Sequence, residues 1–346
     1  MALSTEKNPI ENASSEEVKV IAIKLPFDLQ ERLLSFPFLH QIHEKYPEAD
    51  IHLITPKKQI EVLNLLPFQA YYHEFDEDEI ETVFDVHRYT VTAKIYNVDL
   101  FISLTNSFVD ACLGLGLRAR MRLGFSDGWK AMLLTHKVPR LAGHHLSEDY
   151  FSLYKELVGE NIESKLKVMS RDLTSVIQEW DTQPYIAINL SPIRQAAIED
   201  EILELINHFE DQRIVLFSSE DQDKVQLLIE PFMERLSKRN NYVHFIHKSW
   251  IELAKMLAFS RGVITFNGPT ASLSAYVGAK TVILYESEDP QRFGPFYFLA
   301  DILVLGVNDP TLVHSSVDSG VLKKRKMFNM SEVFGKAFEF FRLMYS

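Results

Sequence analysis

Short runs of β-branched and aromatic residues alternate along this chain with longer stretches in which apolar residues recur at helical spacing. That alternation is the pattern of βαβ units, whose strands pair in parallel because a helix carries the chain back between them. In the first half the spacing predicts strands over Val18 to Lys24, Asp50 to Thr55, Ala70 to Phe75 and Asp99 to Leu104. A single helix is expected from about Leu29 to Lys45, carrying Leu33, Leu34, Phe36, Phe38, Leu39 and Ile42 on its inner face and closed by Pro47. A second helix is expected around Glu148 to Val158.

The stretch from Ile162 to Gln183 is polar and carries no strand pattern, which places a domain boundary there. Beyond it the pattern restarts, with strands over Tyr185 to Leu190, Arg213 to Ser218, Tyr242 to His247, Gly262 to Phe266 and Thr281 to Glu286. Helices are expected between them, at about 198–209, 222–237, 250–259 and 270–277. The expected organisation is a tail over 1–16, a first domain over 17–165, a linker over 166–183, a second domain over 184–328 and a last helix over 329–346 packing back on the first domain. The fold class is α/β, two doubly wound Rossmann-like domains facing each other across a cleft. Open sheets of this kind bind ligands at the carboxyl ends of their strands.

Composition narrows the function classes. A length of 346 residues suits two cores, and 46% apolar with 24% charged residues is the balance of a globular protein. The net charge of −12 argues against nucleic acid as a partner, since phosphate neutralisation needs a basic face. No apolar run approaches the ~18 residues that cross a bilayer, and the polar first residues do not resemble a secretory signal. One cysteine, Cys112, leaves no intramolecular disulfide, so a reducing cytoplasmic setting is expected and Cys112 is expected to pack in a core. Two local basic clusters stand out: Arg118, Arg120 and Arg122, spaced as on one face of a strand, and Lys323 to Lys326. Each suits an anionic substrate or an acidic membrane surface, or is a solvated charged face.

The densest chemical signal lies between Trp250 and Phe296. A helix pattern leads to a buried strand, a tight Asn267-Gly268-Pro269 turn, a helix start at Thr270 to Ser272, another buried strand, and a loop with Asp289, Pro290, Gly294 and Pro295. Free amides and the helix dipole at such a start suit a phosphate. An ordinary Gly-Pro turn capped by Thr270 or Ser272 has the same pattern. His144 and His145, followed by Glu148 and Asp149, carry metal-ligand residue types, but adjacent histidines diverge and no metal site is expected.

This segment resembles the donor-binding signature of glycosyltransferase family 9, the heptosyltransferases, which have the GT-B fold. Asn267 falls where the family has a donor-contacting aspartate and Ser272 where it has a histidine, while Asp289-Pro290 and Gly294-Pro295 match as they stand. The resemblance extends to ERLLSFP at 31–37, to KYPEADIHLIT at 45–55 and to RARMRLGF at 118–125. It implies donor contacts from Ser191, Arg194, Glu220, Asp221, Asn267 and the Gly268-Pro269-Thr270 turn with Ser272. Arg118, Arg120 and Arg122, alternating as a strand would, suit an acidic acceptor sugar on a shared face, or form a solvated strand edge. The implied reaction is inverting transfer of a sugar, heptose from ADP-heptose, to a lipopolysaccharide core or related glycan. A carboxylate removes the acceptor proton while the diphosphate leaves, stabilised by a cation and a helix start rather than a metal. By register Glu31 is the base and Asp28 the second candidate, although Asp28 and Glu31 also have the spacing of a capping box. No cofactor is implied beyond the nucleotide-sugar substrate. The implied partners are that donor and an anionic lipid-linked acceptor, with peripheral contact at the inner face of the cytoplasmic membrane. The replaced positions leave three alternatives open: a different donor, a binding protein without turnover, and an epimerase of the same fold.

Overall fold

VIAIK at Val20–Lys24 has the β-branched content of a strand and almost no polar interruption, and it forms β1 at the centre of a six-stranded sheet. The structure is a computed structural model, and it describes residues 18–76, 79–140, 144–159, 184–190, 213–218, 242–246, 248–285, 290–295, 302–306 and 313–315. The chain divides into two compact units, 1–166 and 167–346.

In the first unit β2 (Asp50–Pro56), β3 (Tyr71–Phe75), β4 (Leu100–Ser103), β5 (Met121–Phe125) and β6 (His136–Val138) join β1 in the order β3-β2-β1-β4-β5-β6. Every pairing is parallel. The order reverses between β1 and β4, so the chain leaves these neighbouring strands in opposite directions and opens a crevice at their carboxyl ends. β1 and β4 are the strands with the least solvent access, as expected where helices cover both faces.

The predicted helix at 29–45 is two helices, α1 (Leu29–Leu34) and α2 (Phe36–Lys45), joined through Ser35. Pro37 accounts for the break: it has no N–H for the Leu33 carbonyl, and its ring crowds that turn. The Ser35 amide instead reaches the Glu31 and Arg32 carbonyls at 3.1 Å. Two further helices, α3 (Val83–Ala93) and α4 (Phe108–Gly116), pack against Ala22, Ile54, Phe75 and Phe101 of β1 to β4, and α5 (Leu146–Val158) packs on α2. Gly114 lets α4 lie close on the sheet, since a Cβ there would sit 2.6 Å from the Phe101 ring. Cys112 is in this core with Leu113, Phe101 and Ala22.

The second unit repeats the plan. β7 (Tyr185–Asn189), β8 (Arg213–Phe217), β9 (Tyr242–Phe245), β10 (Gly262–Phe266), β11 (Thr281–Tyr285), β12 (Ile302–Gly306) and β13 (Val313–Ser315) run in the order β13-β12-β11-β10-β7-β8-β9. Only β13 is antiparallel. The reversal lies between β7 and β10, and α6 (Trp250–Phe259) and α7 (Pro269–Tyr276) flank β10. The expected linker, the helices at 198–209 and 222–237, the Lys323 to Lys326 cluster and the last helix lie outside the described residues.

Candidate functional site

β1 ends in a lysine. Lys24 is 3% exposed, its Nζ lies 3.9 Å from Asp110 and 4.0 Å from the centre of the Phe75 ring, and it donates to the Leu25 carbonyl at 3.3 Å. Burial, opposed by Asp110 and reinforced by Arg32, lowers its pKa to about 8. The loop that follows turns straight into α1, so the start of α1 is held at the carboxyl edge of the sheet. Asp28 is the N-cap: its Oδ1 accepts from the Glu31 amide at 3.0 Å. This carboxylate therefore holds the helix, the capping role that its spacing from Glu31 allows, and Glu31 is the acidic residue of the first turn.

Arg32 fixes this loop from beneath. It is 1% exposed, and its guanidinium donates to the carbonyls of Phe27 at 2.9 Å, Lys58 at 3.1 Å and Pro26 at 3.4 Å. Burial lowers its pKa to about 10, against the pull of Asp28 and Glu61. Ser147 at the start of α5 donates to the Leu34 carbonyl at 3.0 Å, tying α5 to α1. One turn on, the Tyr150 ring sits 6.4 Å from both Phe38 and Phe125, and its buried hydroxyl has no hydrogen-bond partner. Burial and then the Glu31 charge raise the Tyr150 pKa well above its ordinary value, so the phenol stays protonated.

The loop after β4 completes this edge. Thr105 Oγ1 donates to Asp110 Oδ2 at 2.6 Å, and its carbonyl accepts from Lys130 Nζ at 3.0 Å. Lys24, Asp110, Thr105 and Lys130 thus form a continuous polar chain linking β1, α4 and the turn after β5. Sequence reading missed all four, along with Arg32 and Tyr150. A signal existed for two of them: Lys24 ends an otherwise apolar strand, and Arg32 lies between Leu29 and Phe36 on the inner face of its helix.

The three arginines expected to bind the acceptor do not share a strand face. Arg118 has a left-handed backbone (φ 54°), and β5 begins only at Met121. The Arg120 amide bonds the Val98 carbonyl, ahead of β4, so this turn lies at the amino end of the sheet, opposite Glu31. Arg122 spends its guanidinium on the Leu133 and Ala119 carbonyls, at 2.7 and 2.8 Å. His145 caps α5 by accepting from the Ser147 amide at 3.1 Å, and His144 lies 3.4 Å from Glu148, so this cluster has a structural task.

In the second unit the chain leaves β10 through Asn267, whose amide bonds the Leu284 carbonyl at 2.9 Å, and turns at Gly268 with φ 143°. Only glycine adopts that backbone without strain, and a Cβ there would meet nothing within 4 Å, so the space before the turn is open. Gly268 is the N-cap of α7 and offers no side-chain acceptor to its first amides, and Pro269 has no amide to cap. Thr270 and Ser272 do not act as caps. Their hydroxyls are buried, 2% and 5% exposed as residues, and have no hydrogen-bond partner. Beside them Asn189, the last residue of β7, donates to Thr265 Oγ1 at 3.0 Å, which locks the two switch-point strands together. An uncapped helix start with two unpartnered hydroxyls is suited to an anion with several acceptor oxygens. Ser191, Arg194, Glu220, Asp221 and Asp289 lie outside the described residues.

The sequence model of glycosyltransferase family 9 (heptosyltransferase) matches residues 87–317. Among solved structures, the chain is similar to a family 9 glycosyl transferase of Veillonella parvula, with 17% identity, a TM-score of 0.69, and coverage of 94% of this chain and 98% of that one. It is also similar to the Escherichia coli heptosyltransferase WaaC solved with ADP, at 13% identity and a TM-score of 0.71, covering 93% and 100% of the two chains. A third is ADP-heptose lps heptosyltransferase II of E. coli, at 16% identity and a TM-score of 0.64, covering 95% and 100%. These are GT-B structures, and the likeness shows that fold over nearly the whole chain. No curated protein matches the sequence.

Proposed function

Because the chain belongs to glycosyltransferase family 9 (heptosyltransferase), we propose that it is an inverting glycosyltransferase that moves heptose from ADP-heptose to a lipopolysaccharide core or related glycan. The observation that carries this reading is the start of α7. The buried Thr270 and Ser272 hydroxyls, the uncapped amides and the open turn at Gly268 form a cradle with more donors than the protein uses. A donor diphosphate would satisfy them, and as the leaving group it gains charge in the transition state, where fixed dipoles act most strongly. WaaC in its solved structure holds ADP, which supports an ADP-linked donor here. Glu31, placed at the carboxyl edge of β1 by the Asp28 cap and the Arg32 clamp, takes the proton from the acceptor hydroxyl.

Binding without turnover is the second reading, favoured by Asn267 and Ser272 at positions where the sequence resemblance has an aspartate and a histidine. Thermal shift against ADP-, UDP-, GDP- and CMP-linked sugars tests donor choice. A ligand at about 100 times its Kd adds roughly 2.7 kcal/mol, a readily measured shift. ADP-heptose is expected to stabilise the wild type, and the double variant Thr270→Val with Ser272→Ala is expected to bind it at least about tenfold more weakly. Stabilisation by another nucleotide sugar alone would replace the donor, and equal stabilisation of wild type and double variant would remove α7 from the site.

A further inference from the structure

α3 has more apolar surface than the fold uses. Val86 and Tyr89 turn inward and pack, buried, in the core of the first sheet. On the opposite side Phe84 is 88% exposed and Val91 64% exposed. These two are seven residues apart, close to two full turns, so they stand in one line along the outer face with His87 and Arg88 between them. Leu115 is exposed on the last turn of α4, which lies against α3: a Cβ on Gly116 would sit 2.9 Å from Thr90 Cγ2. A single exposed apolar side chain is ordinary, but a line of them along one helix face marks a contact surface.

The charges along α3 are sorted by sign. Asp76, Glu79 and Glu81 precede the helix, and Lys94 is its C-cap, with exposed Arg118 and Arg120 at that same end of the sheet. The helix dipole favours this polarity within one chain. It gives no reason for Phe84 and Val91 to face water. A second α3 running the other way accounts for both, since it covers the apolar line and sets each acidic end against a basic one. Glu81 and Lys94 are exposed, and neither makes an ion pair among the described residues. Arg88, at the middle, is paired with Asp85 on its own helix at 3.0 Å, which offsets its repulsion of a second Arg88.

We propose that α3 is the contact between two copies of this chain, paired antiparallel across a two-fold axis beside His87 and Arg88. The axis lies midway between Phe84 and Val91, so each Phe84 meets Val91 of the second copy. By the same spacing each Glu81 comes level with Lys94 of the second copy. A two-fold interface is one patch meeting itself, and a helix that is acidic at one end, basic at the other and apolar between is complementary to its own reverse. An acidic protein or an anionic bilayer fits less well, because Glu79 and Glu81 at the entry to the same helix repel it. Nothing in this pairing depends on the glycosyltransferase reading.

Sedimentation velocity on the full chain, from low to high micromolar concentration, tests it. A reversible dimer is expected for the wild type. Phe84→Asp is expected to weaken that dimer at least about tenfold, while keeping the wild-type urea midpoint because the side chain it replaces is exposed. Glu81→Lys and Lys94→Glu are each expected to weaken it several-fold. Combined in one chain they are expected to restore it, since the exchanged charges meet again across the axis. A monomer at every concentration overturns the proposal, and so does a dimer untouched by Phe84→Asp, which would place the contact elsewhere. Two weakened single variants with no recovery in the double overturn the antiparallel pairing. A monomer that sediments with vesicles of phosphatidylethanolamine and phosphatidylglycerol, and no longer does so as Phe84→Asp, overturns it in favour of a membrane surface.

Discussion

Arg32 shows how a single residue sets the site. A guanidinium with three carbonyl partners and almost no solvent organises the loop that presents Glu31. Arg32→Lys keeps the charge but not the planar fork, and leaves carbonyls of Pro26, Phe27 and Lys58 without donors. A loss of about 2 kcal/mol in urea unfolding is expected, since each buried group left unpaired costs ~1–3 kcal/mol. An unchanged midpoint would show that the fork is replaceable. Gly268 is a second case. Gly268→Ala forces a side chain onto a positive φ, which is expected to cost about 1 kcal/mol. No protein atom stands in the way of its Cβ, so any larger loss in donor affinity reports the turn's conformation or contact of the new methyl group with the donor itself. Titration of ADP against this variant measures it. Residue identities at the site were only partly legible in the sequence. The Asn267-Gly268-Pro269 turn was visible because glycine and proline punctuate the chain locally. The association of Lys24 with Asp110, Thr105 and Lys130 was not, because it depends on which strands become neighbours.

At the scale of elements, the strands were read closely and the helices less so. A strand is marked by a short local run, and β10 at Gly262–Phe266 has the predicted bounds. The break between α1 and α2 needed weight on Pro37, a local signal that the continuous apolar face of Leu33 to Ile42 overrode. β12 and β13 went unread, β13 being three residues long. The outer half of the first sheet carries a pH-sensitive pair. His52 on β2 and His73 on β3 meet through ring nitrogens 2.8 Å apart, with the rings stacked at 5.0 Å. Burial, and then the His52 charge, lower the His73 pKa from 6.5 to about 4. The unfolded chain therefore takes up a proton between those values that the folded chain refuses. The stability this pair contributes is complete above about pH 6.5 and is lost as pH falls toward about 4. Discounted for partial solvent access, the loss is on the order of 1 kcal/mol. Urea midpoints at pH 7 and pH 5 are expected to differ less in His73→Gln than in wild type; an equal difference would remove His73 from the acid response.

For the molecule as a whole, the repeated strand order accounts for both halves of the proposed chemistry. In each unit the order reverses once, and in each the unusual groups gather at that reversal: Glu31, Lys24 and Asp110 beside β1 and β4, and Gly268, Thr270 and Ser272 beside β10 and β7. Alternating strand and helix patterns made the two-sheet α/β plan readable, because each βαβ step is local. The shared strand face expected of Arg118, Arg120 and Arg122 does not form, because Arg118 has a left-handed backbone and β5 begins only at Met121. Among the described residues no helix is long and apolar enough to cross a membrane. Sugar transfer with Glu31 as base is tested by release of ADP from ADP-heptose, with lipopolysaccharide lacking core heptose as acceptor. Acceptor-dependent ADP release by wild type, reduced at least about a hundredfold in kcat by Glu31→Gln with donor binding retained, is the expected result. Donor binding without any ADP release, or release undiminished in Glu31→Gln, would contradict it.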